Sequence, residues 1–189
     1  MKKIIFCALM CMSITLISCD KLKEATSIDF KVNDVSFDFE TTSTTGASSM
    51  PAEAMTLRAA ATQSFAVTRT VDISEMGSSD VLEYADKINK VRIDNSIISV
   101  TVSPAGNYTI ENLTVKAAGV SGSIVVPSYT IGNTFTLTSD MNAFTNAFLM
   151  KLLSNKSISV TVTGMTDAPV GTTINIHYES DLMFTASLL

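Results

Sequence analysis

The chain has three cysteines, all within the first 19 residues, one histidine and no tryptophan. From residue 20 onward there is no thiol to form a disulfide, attack a substrate or ligate a metal, so the body of the protein is held by packing alone. A zinc site is excluded in practice, because His177 would need partners from scattered carboxylates. Only four tyrosines accompany the missing tryptophan, which argues against the aromatic platforms on which sugar rings stack. Basic residues are also few, 13 against 18 acidic ones, and they form no cluster, so an electrostatic partnership with nucleic acid is not expected. No phosphate-cradling glycine loop occurs, since Gly106, Gly119, Gly122, Gly132, Gly164 and Gly171 are scattered among turns. No G-x-S-x-G nucleophile elbow is present either.

What the chain does have begins at its amino end. Lys2 and Lys3 precede an apolar run from Ile4 to Ile17, then small Ser18 and Cys19. The run is too short and wrongly flanked for a spanning helix and reads as a signal peptide. Leu16-Ile17-Ser18-Cys19 resembles the lipobox of lipoproteins of Gram-negative bacteria. That resemblance implies cleavage before Cys19, a thioether-linked diacylglycerol on its sulfur and an acyl chain on the new amino terminus. An ordinary secretory signal is the alternative, but no small-x-small cleavage site is well formed nearby. The expectation is therefore a signal peptide over 1–18, a lipidated tether over 19–27 and a single domain over 28–189. The protein is expected in the cell envelope, attached to the membrane through Cys19, at the outer membrane. Asp20 leaves the leaflet open, because acidic residues beside the cysteine sort lipoproteins differently in different Gram-negative groups. Cleavage would leave 171 residues, enough for a real core, with a formal charge of −7 once Lys2 and Lys3 are removed.

The remainder is rich in Thr, Ser, Val and Ile, with apolar residues at alternate positions, the period of half-buried strands. Ile28, Phe30 and Val32 set one register and Val35, Phe37 and Phe39 another, so Asn33-Asp34 between them predicts a bulge or tight turn. Residues 41–62, with Gly46 and Pro51 and no sustained period, read as a long loop. Strands are expected around Phe65–Ile73, Val91–Val102, Ile110–Ala117 and Thr172–Tyr178, with a turn at Pro104–Asn107. Ser79-Asp80 opens a short helical pattern through Val81, Leu82, Tyr84, Ala85 and Ile88. Ser139-Asp140 opens a second, more apolar one, with Met141, Phe144, Ala147, Phe148, Leu149, Leu152 and Leu153 on a broad face.

Two landmarks recur at the same offset of 60: the Ser-Asp helix starts, and Ile98–Ser103 against Ile158–Thr163. This predicts two related strand-helix-strand-strand halves, about 65–118 and 123–189, with convergence of generic strand composition as the alternative. The fold class expected is mainly β, an antiparallel sandwich-like α+β domain with two helices packed on it. An all-β immunoglobulin-like sandwich is the other candidate.

Candidate sites are few. Phe144, Phe148, Leu149 and Leu152 mark either core or the wall of an apolar pocket. His177, on the polar parity of its strand, points to solvent. Asp34, Asp38 and Glu40, then Asp72 and Glu75, then Glu179 and Asp181, offer carboxylates for a hydrolase pair or a calcium site, though the twelve-residue calcium-loop pattern is absent. Arg58, inside the long loop, offers a tryptic-type cleavage site. Some lipoprotein pilins of Gram-negative anaerobes are cut at such an arginine and exchange strands, a resemblance of layout only. No catalytic residue, cofactor or metal is assigned. The expected function is a noncatalytic envelope protein that binds a partner or helps build a surface assembly. Carriage or sensing of an apolar small molecule is the second reading and hydrolysis the third.

Overall fold

The structure, a computed structural model, describes residues 26–45 and 63–188. The expected signal peptide over 1–18, Cys19, most of the expected tether over 19–27 and Arg58 lie outside the described residues. Eight strands form the body: β1 (Ser27–Thr42), β2 (Gln63–Asp72), β3 (Ile88–Ser103), β4 (Thr109–Ala117), β5 (Ile124–Thr130), β6 (Thr134–Thr136), β7 (Ser157–Thr166) and β8 (Thr173–Ser187). A 3₁₀ turn (Ile73–Met76) and helix α1 (Ser79–Tyr84) join β2 to β3, and helix α2 (Ser139–Asn155) joins β6 to β7. The strands pair into two four-stranded sheets of order β1-β8-β3-β6 and β2-β7-β4-β5, with every pairing antiparallel. This order defines a jelly roll, two interlocked Greek keys closed into a sandwich, and it differs from the strand partition of the immunoglobulin fold. The expected β sandwich with two packed helices is what the chain forms.

Exchanging β1–β4 with β5–β8 maps each sheet order onto the other. Both helices accordingly occupy the connection between the second and third strands of their Greek key. The offset-60 landmarks fall at these equivalent places: α1 and α2 open at Ser79 and Ser139, and the Ile-Ser-Val-Thr-Val runs lie in β3 and β7. The symmetry belongs to the jelly roll itself and does not require a duplicated sequence.

The sheets differ in length. β1, β8 and β3 run 16, 15 and 16 residues, about 50 Å at roughly 3.3 Å per residue, whereas β2, β7, β4 and β5 run 10, 10, 9 and 7. The long sheet therefore overhangs the short one, and the helical segments supply the missing second layer. Tyr84 of α1 packs 6.1 Å from the Phe30 ring, which stacks on Phe184 at 5.5 Å. Asn146 of α2 donates from Nδ2 to the Val91 carbonyl, 2.6 Å away. Val91, Leu182, Phe184, Val81 and Met76 are buried beneath this cover.

The bulge expected at Asn33-Asp34 is present: the β1–β8 register shifts between Val32 and Val35, with Asp34 at φ 55°. That shift keeps Phe30, Phe37 and Phe39 on the inner face despite their change of parity. Several boundaries differ from expectation. β1 runs on to Thr42, and Thr44 bridges Ser64, so the loop after β1 starts later than residue 41. Ile88 opens β3 rather than continuing α1. The helix caps are Ser78 and Thr138, one residue before the Ser-Asp pairs, with their hydroxyls accepting from the Val81 and Met141 amides at 3.4 Å.

Candidate functional site

Helix α2 packs against β3 of the long sheet and against β7 and β5 of the short one. Phe144, Phe148, Leu149 and Leu152, the four residues expected in a core or pocket, are all buried, Leu149 and Leu152 completely. Phe148 meets Phe37 edge to face at 5.8 Å, and Phe37 stacks on Tyr178 at 5.9 Å. Phe144 and Phe148, with Phe37, Ile98, Ile176 and Tyr178, line a cavity of about 40 Å³. Leu149 and Leu152 do not border it and are plain core. Such a space is far smaller than the roughly 150 Å³ that accommodates a ligand of benzene size. Ala147, placed by its spacing on the apolar face, is exposed instead, at the rim of an open surface groove with Gly119 and Val120.

Thr145 and Tyr178 also border the cavity and belong to a buried polar group that the periodicity did not disclose. Thr145 of α2 lies on the same face as Phe148 and Leu149, and its hydroxyl, with those of Ser96 of β3 and Ser180 of β8, surrounds the Tyr178 phenol. Thr145 and Ser96, like Ser180, are buried. Thr145 Oγ1 donates to the Met141 carbonyl at 3.1 Å, and Ser180 Oγ donates to the Asn95 carbonyl at 2.6 Å. The Asn142 side-chain oxygen is buried without a hydrogen-bond partner, and the buried Tyr178 hydroxyl lies among those of Ser96, Thr145 and Ser180. Burial pushes the Tyr178 phenol above its ordinary pKa, against the smaller opposing pull of the Ser180, Ser96 and Thr145 hydroxyls.

His177 lies on the outer face of the long sheet, 35% exposed, as the parity of β8 requires. Asp38 of β1 is its direct cross-strand partner, and its Oδ1 lies 2.8 Å from His177 Nδ1. Glu179, two residues along β8, approaches Nε2 at 3.4 Å. Partial burial lowers the histidine's pKa, but hydrogen bonds and charge from Asp38 and Glu179 outweigh it and hold the imidazolium above its ordinary value. Both ring nitrogens are engaged by separate carboxylates, so the group has no free base position beside a nucleophile.

The remaining carboxylates singled out do not converge. Asp72 caps the 3₁₀ turn by accepting from the Ser74 amide, and Glu75 accepts from the Asp72 amide and pairs with Arg69 at 2.9 Å. Asp181 accepts from the Asp34 amide at 3.3 Å and approaches Lys31 at 3.9 Å. Asp34 sits in the bulge while Asp38 and Glu40 alternate along β1, and among the described residues no three His, Cys, Asp or Glu side chains gather as a metal site.

The geometry thus defines a jelly-roll sandwich with a filled interior and helix-covered overhang. No family model matches the chain, and no curated protein matches it. Among solved structures it is similar to the decameric BFDV capsid protein, at 8% identity over 84% of this chain and 98% of that one with a TM-score of 0.41. It is also similar to Desmodium yellow mottle tymovirus, at 10% identity over 82% of each chain with a TM-score of 0.30. At this distance nothing about activity or assembly passes from them to this chain.

Proposed function

We propose that the chain is a lipid-anchored protein of the bacterial cell envelope that acts without catalysis, binding a partner or contributing to a surface assembly. The observation that carries this reading is Leu16-Ile17-Ser18-Cys19 behind a basic, apolar leader. A diacylglyceryl group and an amide-linked acyl chain at Cys19 bury many methylenes, each worth about 0.8 kcal/mol, so attachment is effectively permanent. Such a protein works where it is tethered, at the outer membrane in this reading.

The packed interior supports an outside binding surface over carriage of a ligand. A cavity of about 40 Å³ behind Phe144 and Phe148 has no room for an acyl chain. Edge strands are the natural places for a partner, and β1, β2, β5 and β6 each lie at the end of a sheet. The His177 group and the scattered carboxylates favour no hydrolytic chemistry, for the geometric reasons given above.

The test is native mass spectrometry of the full chain, expressed in a Gram-negative host and purified from its membranes in detergent. The proposal expects the mass of the lipidated chain, alone or in stoichiometric protein complexes, with no further small-molecule adduct. An apolar adduct that is lost when Phe148→Asp is introduced, in a variant that keeps its sheet signature by circular dichroism, would replace this reading with the carrier.

A further inference from the structure

Both ends of the described domain meet at one tip of the long sheet. The Leu188 amide donates to the Thr26 carbonyl at 2.7 Å, and the Ser187 amide donates to the Lys87 carbonyl at 2.9 Å. The turn that follows α1 belongs to the same tip, because the Lys87 amide donates to the Tyr84 carbonyl and Ile88 then opens β3 opposite Ala186. Five large apolar residues are exposed among those described: Leu82, Val125, Met165, Val170 and Leu188. Leu82, 50% exposed on α1, and Leu188, 46% exposed, belong to this tip, while Val170 lies at the opposite end, between β7 and β8. Tyr84 and Lys87 stand beside them, with the Lys87 ammonium 5.9 Å from the Tyr84 ring centre.

Only eight residue steps separate Cys19 from Ser27, the first residue of β1. At about 3.6 Å per residue, that chain reaches no further than roughly 29 Å, less than the length of the strands it feeds. The tip carrying α1 is therefore the part of the domain held nearest the bilayer. We propose that in the anchored protein this tip is a membrane-docking surface, with Leu82 and Leu188 entering the lipid interface and Tyr84 and Lys87 at headgroup level. Tyrosine and lysine suit that position because each joins an apolar body to a polar end. Asp80, Glu83 and Asp86 stand against Lys87, Lys90 and Lys156, the last paired with Asp86, so the charges balance and contact is apolar, independent of anionic lipid or salt. The inference rests on the lipid-anchor reading of Cys19.

The chain contains no tryptophan, so a single reporter is unambiguous. Leu82→Trp and Val170→Trp are introduced separately, and the protein from bacterial membranes is reconstituted into phosphatidylcholine vesicles with or without brominated acyl chains. Docking predicts a blue shift and loss of most emission for Leu82→Trp in brominated vesicles, unchanged by high salt, and little change for Val170→Trp. Equal quenching of the two, or none, in protein that floats with the vesicles would overturn docking while leaving the anchor intact. Protein that fails to float would instead remove the anchor reading. Residues 19–189, in which Cys19 is the sole cysteine, are then coupled to a maleimide lipid and the same comparison decides docking on its own.

Discussion

His177 and Tyr178 are adjacent in β8 and meet opposite environments, because successive strand residues face opposite sides of a sheet. His177 gains Asp38 and Glu179 on folding, and its pKa rises above the unfolded value. Its stabilising contribution is therefore fully present below the unfolded value near 6.5 and is lost as pH rises through the higher folded value. Unfolding by urea should show a larger deficit for His177→Asn at pH 5.5 than at pH 8.5. An NMR titration should find the His177 pKa lowered in Asp38→Asn. Tyr178 instead turns its hydroxyl inward, among those of Ser96, Thr145 and Ser180. Tyr178→Phe removes those polar contacts while preserving the ring stacked on Phe37. Stability should fall by about 1 kcal/mol, measured as the urea midpoint at constant m-value. An unchanged or raised midpoint would mean that the hydroxyl makes no hydrogen bond in solution.

At the scale of elements, α2 carries the largest expected effects. Phe148→Ala should cost about 3–5 kcal/mol, because the ring is buried against Phe37 and its removal enlarges an existing cavity. Gly164 of β7 is a quieter case. A Cβ there would overlap the Phe65 ring, so Gly164→Ala should cost roughly 1–3 kcal/mol by forcing that side chain aside. Both follow from thermal or urea unfolding. Much of this level was legible in the sequence: alternation located β1 and β3 but only the first part of β8, expected to end at Tyr178 and running on to Ser187, Asn33-Asp34 marked the bulge, and apolar spacing located both helices. β5 and β6 were not legible, since a seven-residue strand interrupted by Pro127 and a three-residue strand leave too few positions for a period. The polar stripe of α2 was also hidden. Asn142, Thr145 and Asn146 look like solvent-facing residues until β3 and β8 are placed beneath them.

For the whole molecule, the division of strands into sheets had no local signature. β1 pairs with β8 from the other end of the chain, and only the tertiary fold distinguishes the jelly-roll order from other sandwiches. The same limit applied to Phe144, Phe148, Leu149 and Leu152: hydropathy identified them as buried, but only the packed volume separated core from carrier pocket. The function proposed here depends on a short segment outside the described residues, while the start of β1, the turn after α1 and the end of β8 meet at one tip. The most direct measurement is the intact mass and amino-terminal peptide of the protein recovered from membranes of a Gram-negative host expressing the full chain. The account predicts a chain that starts at Cys19 and carries a diacylglyceryl thioether and an amide-linked acyl group. A chain that keeps residues 1–18, or that carries an unmodified thiol at Cys19, would contradict it.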